Sequence, residues 1–197
     1  YIQNSKNLGF TGANNIGIGN SALSKVTSGS DNFGIGNSAG AAISTGNSNF
    51  CIGNSSGSKI SSGYNNFCMG SNSGSSIETG YENFCLGNNT GDAITSAIEN
   101  VCIGFNALTS LSAGNSNMGL GHKSMELTIE STLNVGVGAY TLNALTNKTG
   151  RNVAVGAAAL QYCSGDNVEK NIAIGTSAGF GTGFNGTNNI IIGDAIA

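Results

Sequence analysis

Charge is scarce in this chain of 197 residues: 9% are Asp, Glu, Lys or Arg, and the formal net charge is −3. Without a basic excess there is no electrostatic footprint for nucleic acid. No apolar run approaches the roughly 20 residues that a membrane-crossing helix needs, and no stretch reads as a signal segment, so membrane insertion is not expected. Histidine occurs once, at His122. Beside Lys123 and Glu126, with no Cys or second His nearby, it reads as a solvated corner residue rather than a ligand or base. Low charge with 32 Gly and abundant Ser and Asn would signal disorder if the apolar residues were scattered. They instead fill fixed positions of a repeat, so stacking can bury them.

The repeat is Asn, apolar, small, apolar, Gly. Its anchors are Asn15, Asn32, Asn49, Asn66, Asn83, Asn100, Asn117 and Asn134 at a spacing of 17, then Asn152, Asn171 and Asn189 at 18, 19 and 18. A fixed period running the length of a chain is the signature of stacked coils, none able to bury its apolar side alone. The expected architecture is an all-β parallel solenoid of about eleven coils. Residues 1–14 form a partial N-terminal coil, 15–151 the regular repeats and 152–197 looser repeats of the same body. At about 4.8 Å per coil the rod is roughly 50 Å long, without helices.

Within a coil, the alternation after the Asn is that of a short strand, with positions one and three on one face and position two on the other. Taking bulk as the guide to burial, positions one and three form the core. Its candidate members are Ile18, Phe33, Ile35, Phe50, Ile52, Phe67, Met69, Phe84, Leu86 and Ile103. A third apolar slot, eleven residues after the Asn, runs through Val26, Ile43, Ile60, Ile77, Ile94, Leu111 and Leu145 and predicts a second short strand on the opposite wall. Gly29, Gly46, Gly63, Gly80 and Gly114 mark corners.

A coil of 17 residues encloses a thin core against an ordering cost of about 1–2 kcal/mol per residue, so a single chain is expected to be marginal. The small residues at position two allow close approach of another chain. Gly17, Gly34, Cys51, Cys68, Cys85, Cys102, Gly119 and Gly136 are therefore the candidate chain–chain interface of a homo-oligomer around a symmetry axis.

Phrases such as Asn32-Phe33-Gly34-Ile35-Gly36-Asn37-Ser38-Ala39-Gly40 and Asn152-Val153-Ala154-Val155-Gly156 resemble the head repeats of trimeric autotransporter adhesins. They resemble still more the 17-residue repeats of tail fibres and of virion or cell-surface fibres that often carry a C-terminal self-cleaving chaperone domain. The resemblance covers essentially the whole chain and departs from the adhesin pattern in the longer coil and the Phe-Cys pairs. It implies a left-handed β-roll, three chains per fibre, an extracellular or virion-surface location, and attachment to a cell-surface glycan, protein receptor or matrix.

Chemical motifs add little. Gly17 to Ala22 matches a dinucleotide fingerprint, but it recurs at Gly34 to Ala39 with no helix to follow, so it reads as coil corners and no cofactor is expected. Cys51, Cys68, Cys85 and Cys102 fall in one column; parallel strands give poor torsional geometry for bridging them, so they read as reduced, packed thiols. Cys163 falls in the third apolar slot and reads as core. Glu78, Glu82, Glu99, Glu126, Glu130, Asp166 and Glu169 occupy corners and identify no acid and base pair. Asn54, Asn88, Asn147 and Asn185 open glycosylation sequons. The expectation is a structural and adhesive fibre segment with no catalytic centre. The alternatives are a self-stacking filament subunit and a polysaccharide-degrading tailspike; an ice-binding solenoid would demand a more regular Thr array than Thr45, Thr79, Thr95 and Thr109 provide. The chain opens at Tyr1 in mid-pattern and stops at Ala197 shortly after a strand, so both ends are expected to abut further protein.

Overall fold

The computed structural model describes residues 2–4, 11–145, 150–163, 168–181 and 184–194; the sequon at Asn147, the carboxylate of Asp166 and the terminal Ala197 lie outside the described residues. Each repeat contributes one three-residue strand directly after its Asn. These are β2 (Ile16–Ile18), β3 (Phe33–Ile35), β4 (Phe50–Ile52), β5 (Phe67–Met69), β6 (Phe84–Leu86), β7 (Val101–Ile103), β8 (Met118–Leu120), β9 (Val135–Val137), β10 (Val153–Val155), β11 (Ile172–Ile174) and β12 (Ile190–Ile192). The eleven lie parallel in sequence order, each position paired with its equivalent in the next coil, so that Phe33 meets Phe50, Phe50 meets Phe67 and Phe67 meets Phe84. A short β1 (Ile2–Asn4) joins the edge antiparallel to β2. The described residues contain no helix. The chain is a parallel β-solenoid.

An asparagine ladder holds the stack. Asn32 Nδ2 donates to Asn15 Oδ1 (2.9 Å) and to the Gly46 carbonyl (2.8 Å), while the Asn32 backbone N–H donates to the same Asn15 Oδ1 (3.0 Å). The coil-to-coil pair of bonds recurs at Asn49, Asn66, Asn83 and onward to Asn189. Asn is the residue that fits because a buried site requires two donors and one strong acceptor on a short, stiff stem, and an unmatched buried amide costs about 1–3 kcal/mol. The glycine four residues after each Asn answers a different constraint. Gly53 has φ of +128° and a Cβ there would lie 2.5 Å from the Gly70 carbonyl oxygen, so no side chain is tolerated.

The ladder also fixes which face points inward. Asn and position two share parity along the strand, so a buried Asn turns position two into the core and positions one and three outward. Cys51, Cys68, Cys85 and Cys102 are wholly buried, as are Ala154 and Ala173. Gly34, Gly119 and Gly136 are buried too, and Gly17 points inward with them. The assignment of Ile18, Phe33, Ile35, Phe50, Ile52, Phe67, Met69, Phe84, Leu86 and Ile103 to the core is thereby corrected: they line the outer face and stay partly exposed, Ile18 at 38%. The assignment of the small column to a chain–chain interface is corrected with it, because those residues face the solenoid's own interior.

The slot eleven residues after the Asn is core, with Ile43, Ile60, Ile77, Ile94, Leu111 and Leu145 all buried, but no second strand forms there. The N–H groups of Thr27, Ser28 and Gly29 converge on one acceptor, the Ser44 carbonyl (3.0, 3.2 and 3.1 Å). Three donors on one oxygen make a tight turn rather than a ladder. The corner glycines are there for close approach: a Cβ on Gly46 would strike the Gly63 carbonyl.

Beside the Ile or Leu of that slot, the interior takes one further filler in each layer between successive coils, supplied either by the turn of one coil or by the strand of the next. Where position two is Gly or Ala, the residue eight after the preceding Asn is large: Leu23 lies against Gly34 and Leu108 against Gly119, each where a Cβ would be (2.9 and 2.6 Å). Met125 lies near Gly136, and Leu142 and Leu160 precede Ala154 and Ala173. Where position two is Cys51, Cys68, Cys85, Cys102 or Ile191, that preceding residue is Gly40, Gly57, Gly74, Gly91 or Gly179. Close packing of a narrow tube permits one filler per layer, neither none nor two.

Candidate interaction surfaces

Three features stand out once the walls are assigned. The first is the outer face of the sheet. Because positions one and three point outward in register, they build two apolar columns running the length of the eleven parallel strands. Phe33, Phe50, Phe67 and Phe84 stack with ring centroids 4.9, 4.8 and 4.6 Å apart and planes within 9° of parallel. Either side of this block the columns become aliphatic, and Ile16, Met118, Leu120 and Ile174 are exposed. Side chains that stack on one another at the coil spacing cover each other's faces and leave their outer edges to water.

The second feature is the thiol column. Cys51, Cys68, Cys85 and Cys102 are paired neighbours in the sheet and all are unbridged. Hydrogen bonds to Cys51 and Cys85, with burial, hold the Cys68 thiol well above the ordinary range, and a bond to Cys85, with burial, does the same for Cys102. Cys85, which Cys102 and Cys68 would solvate as a thiolate, is shifted the other way. Burial alone pushes Cys163 up to about 12. With Cys68 and Cys102 held protonated and all four thiols buried away from water, the column acts as packing.

The third feature is a ring cluster about His122, the corner residue beside Lys123 and Glu126. His122 does not sit alone at a corner: its ring stacks on Phe105 (5.7 Å, 20°) and meets Tyr140 edge-on (5.2 Å, 87°). Beside them Glu126 is held at three points. Lys123 Nζ (3.2 Å) and Asn106 Nδ2 (3.3 Å) reach Oε1, and Asn143 Nδ2 (3.4 Å) reaches Oε2. Lys123 and Glu126 are neighbours by turn geometry, while Asn106 and Asn143 come from the coils before and after. The signal was present in the sequence: the corner five residues after the Asn holds Asn20, Asn37, Asn54, Ser71 and Asn88, then Phe105 and His122.

Of the other carboxylates singled out by sequence, Glu99 accepts from Ser116 Oγ (2.9 Å) on the next coil. Glu82 lies at an exposed corner near the stacked Tyr64 and Tyr81, whose centroids are 4.6 Å apart. Among the described residues no three His, Cys, Asp or Glu side chains form a group suited to a metal ion. An open cavity of about 240 Å³ beside Phe180, Ile191 and Asp194 belongs to the last described coil. Comparison with known proteins gives no matching family model, no matching curated protein and no matching solved structure.

Proposed function

We propose that the chain is a structural and adhesive segment of an extracellular or virion-surface fibre, built from several copies of itself and acting without a catalytic step. The outer face of the sheet carries this reading. Over eleven strands its two columns keep Ile16, Ile18, Met118, Leu120, Ile172, Ile174, Ile190 and Ile192 exposed, and a contiguous apolar face larger than a few hundred Å² marks an interaction site. Stable interfaces bury roughly 800 Å² on each partner, an extent that a face running the length of the stack can offer. Such a stripe is in register, regular and uncharged, and it fits an identical stripe better than an irregular globular surface. Three chains arranged about an axis parallel to the rod, each a left-handed roll, is the arrangement implied by the resemblance to fibre repeats. Attachment then falls to the outward corners and turns, which vary in chemistry from coil to coil while the backbone does not. Sedimentation equilibrium tests the assembly and a glycan and matrix array tests the attachment. A mass three times that of the chain, with Phe67→Asp reducing it to one, is the expected result. A wild-type monomer at micromolar concentration overturns the reading of the sheet face.

A further inference from the structure

The ring cluster at Phe105, His122 and Tyr140 has no part in the core. Phe105 is 48% exposed and Tyr140 38%, and His122 is exposed between them. The equivalent corners of earlier coils hold small polar side chains, so folding does not require rings there. Among the described residues outside the two sheet columns, the exposed large apolar side chains are Tyr64 and then Phe105, Leu127, Ile129, Leu133, Tyr140, Tyr162 and Phe180, almost all in the second half of the rod. Tyr162 and Phe180 meet edge-on at 5.6 Å, whereas Phe105 and Tyr140 flank His122 beside a polar group that is itself held in place, Glu126.

We propose that Phe105, His122, Tyr140 and Glu126 form a binding site for a neutral, extended glycan chain lying along the rod. The proposal deepens the adhesive reading and rests on it for biological sense. Phe105 and His122 stack from coil to coil, so their planes lie across the axis; Tyr140 is turned 87° from His122, so its plane runs along the axis. That is the orientation in which a ring face supports the C–H face of a pyranose. The coil spacing of about 4.8 Å is close to the length of one pyranose unit in an extended β-linked chain, so successive corners meet successive sugars. Glu126 supplies the polar partner. Its side chain is 18% exposed and is held by Lys123, Asn106 and Asn143, so its remaining lone pairs accept sugar hydroxyls without loss of side-chain freedom on binding. Lys123 neutralises it, which removes the local field that a charged glycan would need. Apolar rings with few fixed polar groups are the general make-up of sites for small ligands.

Saturation-transfer NMR and calorimetry of the intact chain with cellohexaose and with the hexamer of N-acetylglucosamine test the site. At least one of the two is expected to bind, with transfer to sugar ring protons. Tyr140→Ala should weaken binding by about tenfold or more, as truncation of an aromatic anchor does; Phe105→Ala, which removes a ring that backs His122 rather than offering a free face, and Glu126→Gln should do so by smaller factors. Tyr64→Ala, in the separate Tyr64–Tyr81 stack, should leave it unchanged. All four changes lie at the surface, and matching thermal melts confirm that folding is intact. Failure of both sugars to bind, or binding indifferent to Phe105→Ala and Tyr140→Ala, overturns the site. If the array still reports glycan attachment in that case, the adhesive reading stands and only its location falls. If cellohexaose binds and the assembled chain adheres to nothing, the site stands and the adhesive reading falls.

Discussion

The coils around Cys51 to Cys102 and those from Met118 to Ile174 reach the same backbone by opposite routes. In the first stretch the strand supplies the interior filler and the turn gives way: Cys68 and Cys85 point inward, and Gly57 and Gly74 leave room. In the second stretch the strand gives way with Gly119, Gly136, Ala154 and Ala173, and the turn supplies Leu108, Met125, Leu142 and Leu160, all buried. Leu108, Met125, Leu142 and Leu160 adopt positive φ of 53°, 55°, 48° and 49°, a conformation that costs a side-chain-bearing residue energy. The burial of a whole Leu or Met side chain, worth about 1.5–3 kcal/mol, offsets that cost. The difference teaches that volume per layer is what the fold requires, and that its source is free. The outer columns divide along the same line, with stacked Phe rings in the first stretch and aliphatic side chains in the second.

The largest effect is expected where the two stretches agree. Asn66→Ala would leave the Gly80 carbonyl without its donor and the Asn83 backbone and side-chain N–H groups without their acceptor. At about 1–3 kcal/mol for each buried orphan, chemical denaturation should show a loss of several kcal/mol or a broken transition, as a change at Asn117 should.

A smaller loss, and a sharper test of the comparison, comes from exchanging the fillers. Cys85→Gly opens a cavity and Gly74→Leu crowds Cys68 and Cys85, each costing about 1–3 kcal/mol. The double variant rewrites that layer in the manner of Leu108 and Gly119 and should recover at least about 1 kcal/mol relative to the sum. Additive losses in a double-mutant cycle would show that the two stretches are not interchangeable. Single truncations should then rank by volume, with Leu108→Ala costing about 2–5 kcal/mol and Cys85→Ala less.

The alkaline side offers a still smaller contrast. Cys163 has its pKa raised from 9.0 to about 12 in the folded state. Between those values the unfolded chain has released the proton and the folded chain has kept it, so stability is intact below 9.0 and falls as pH rises toward 12. Cys163→Ala should flatten that fall, seen as a smaller loss of melting temperature above pH 9.0 than in the parent chain.

Much of this fold was legible in the sequence, because a 17-residue period with a fixed Asn and Gly fixes coil length, strand position and parallel register. The sign of the strand was not. Alternation separates Phe50 and Ile52 from Cys51 without saying which set is buried, and bulk pointed the wrong way because a tube this narrow cannot house stacked Phe rings. The Asn column held the answer, since an amide required in every coil shares its face with position two. The exchange between Leu108 and Gly119, or Gly74 and Cys85, was equally visible but had no meaning while position two was thought to face outward. His122 is exposed at a corner, as its sequence neighbours suggested, but its ring contacts could not be read: Phe105 and Tyr140 are 17 and 18 residues away, neighbours only once the coils are stacked.

The central claim is that a chain whose interior is already filled presents its strand face to copies of itself. Sedimentation equilibrium of the wild-type chain and of Phe50→Asp with Phe67→Asp measures it most directly. The account predicts a wild-type trimer of chains and a variant that sediments as a folded monomer with unchanged circular dichroism, because both rings lie outside the core. A wild-type monomer, or an assembly that survives both charges on the stripe, would contradict it.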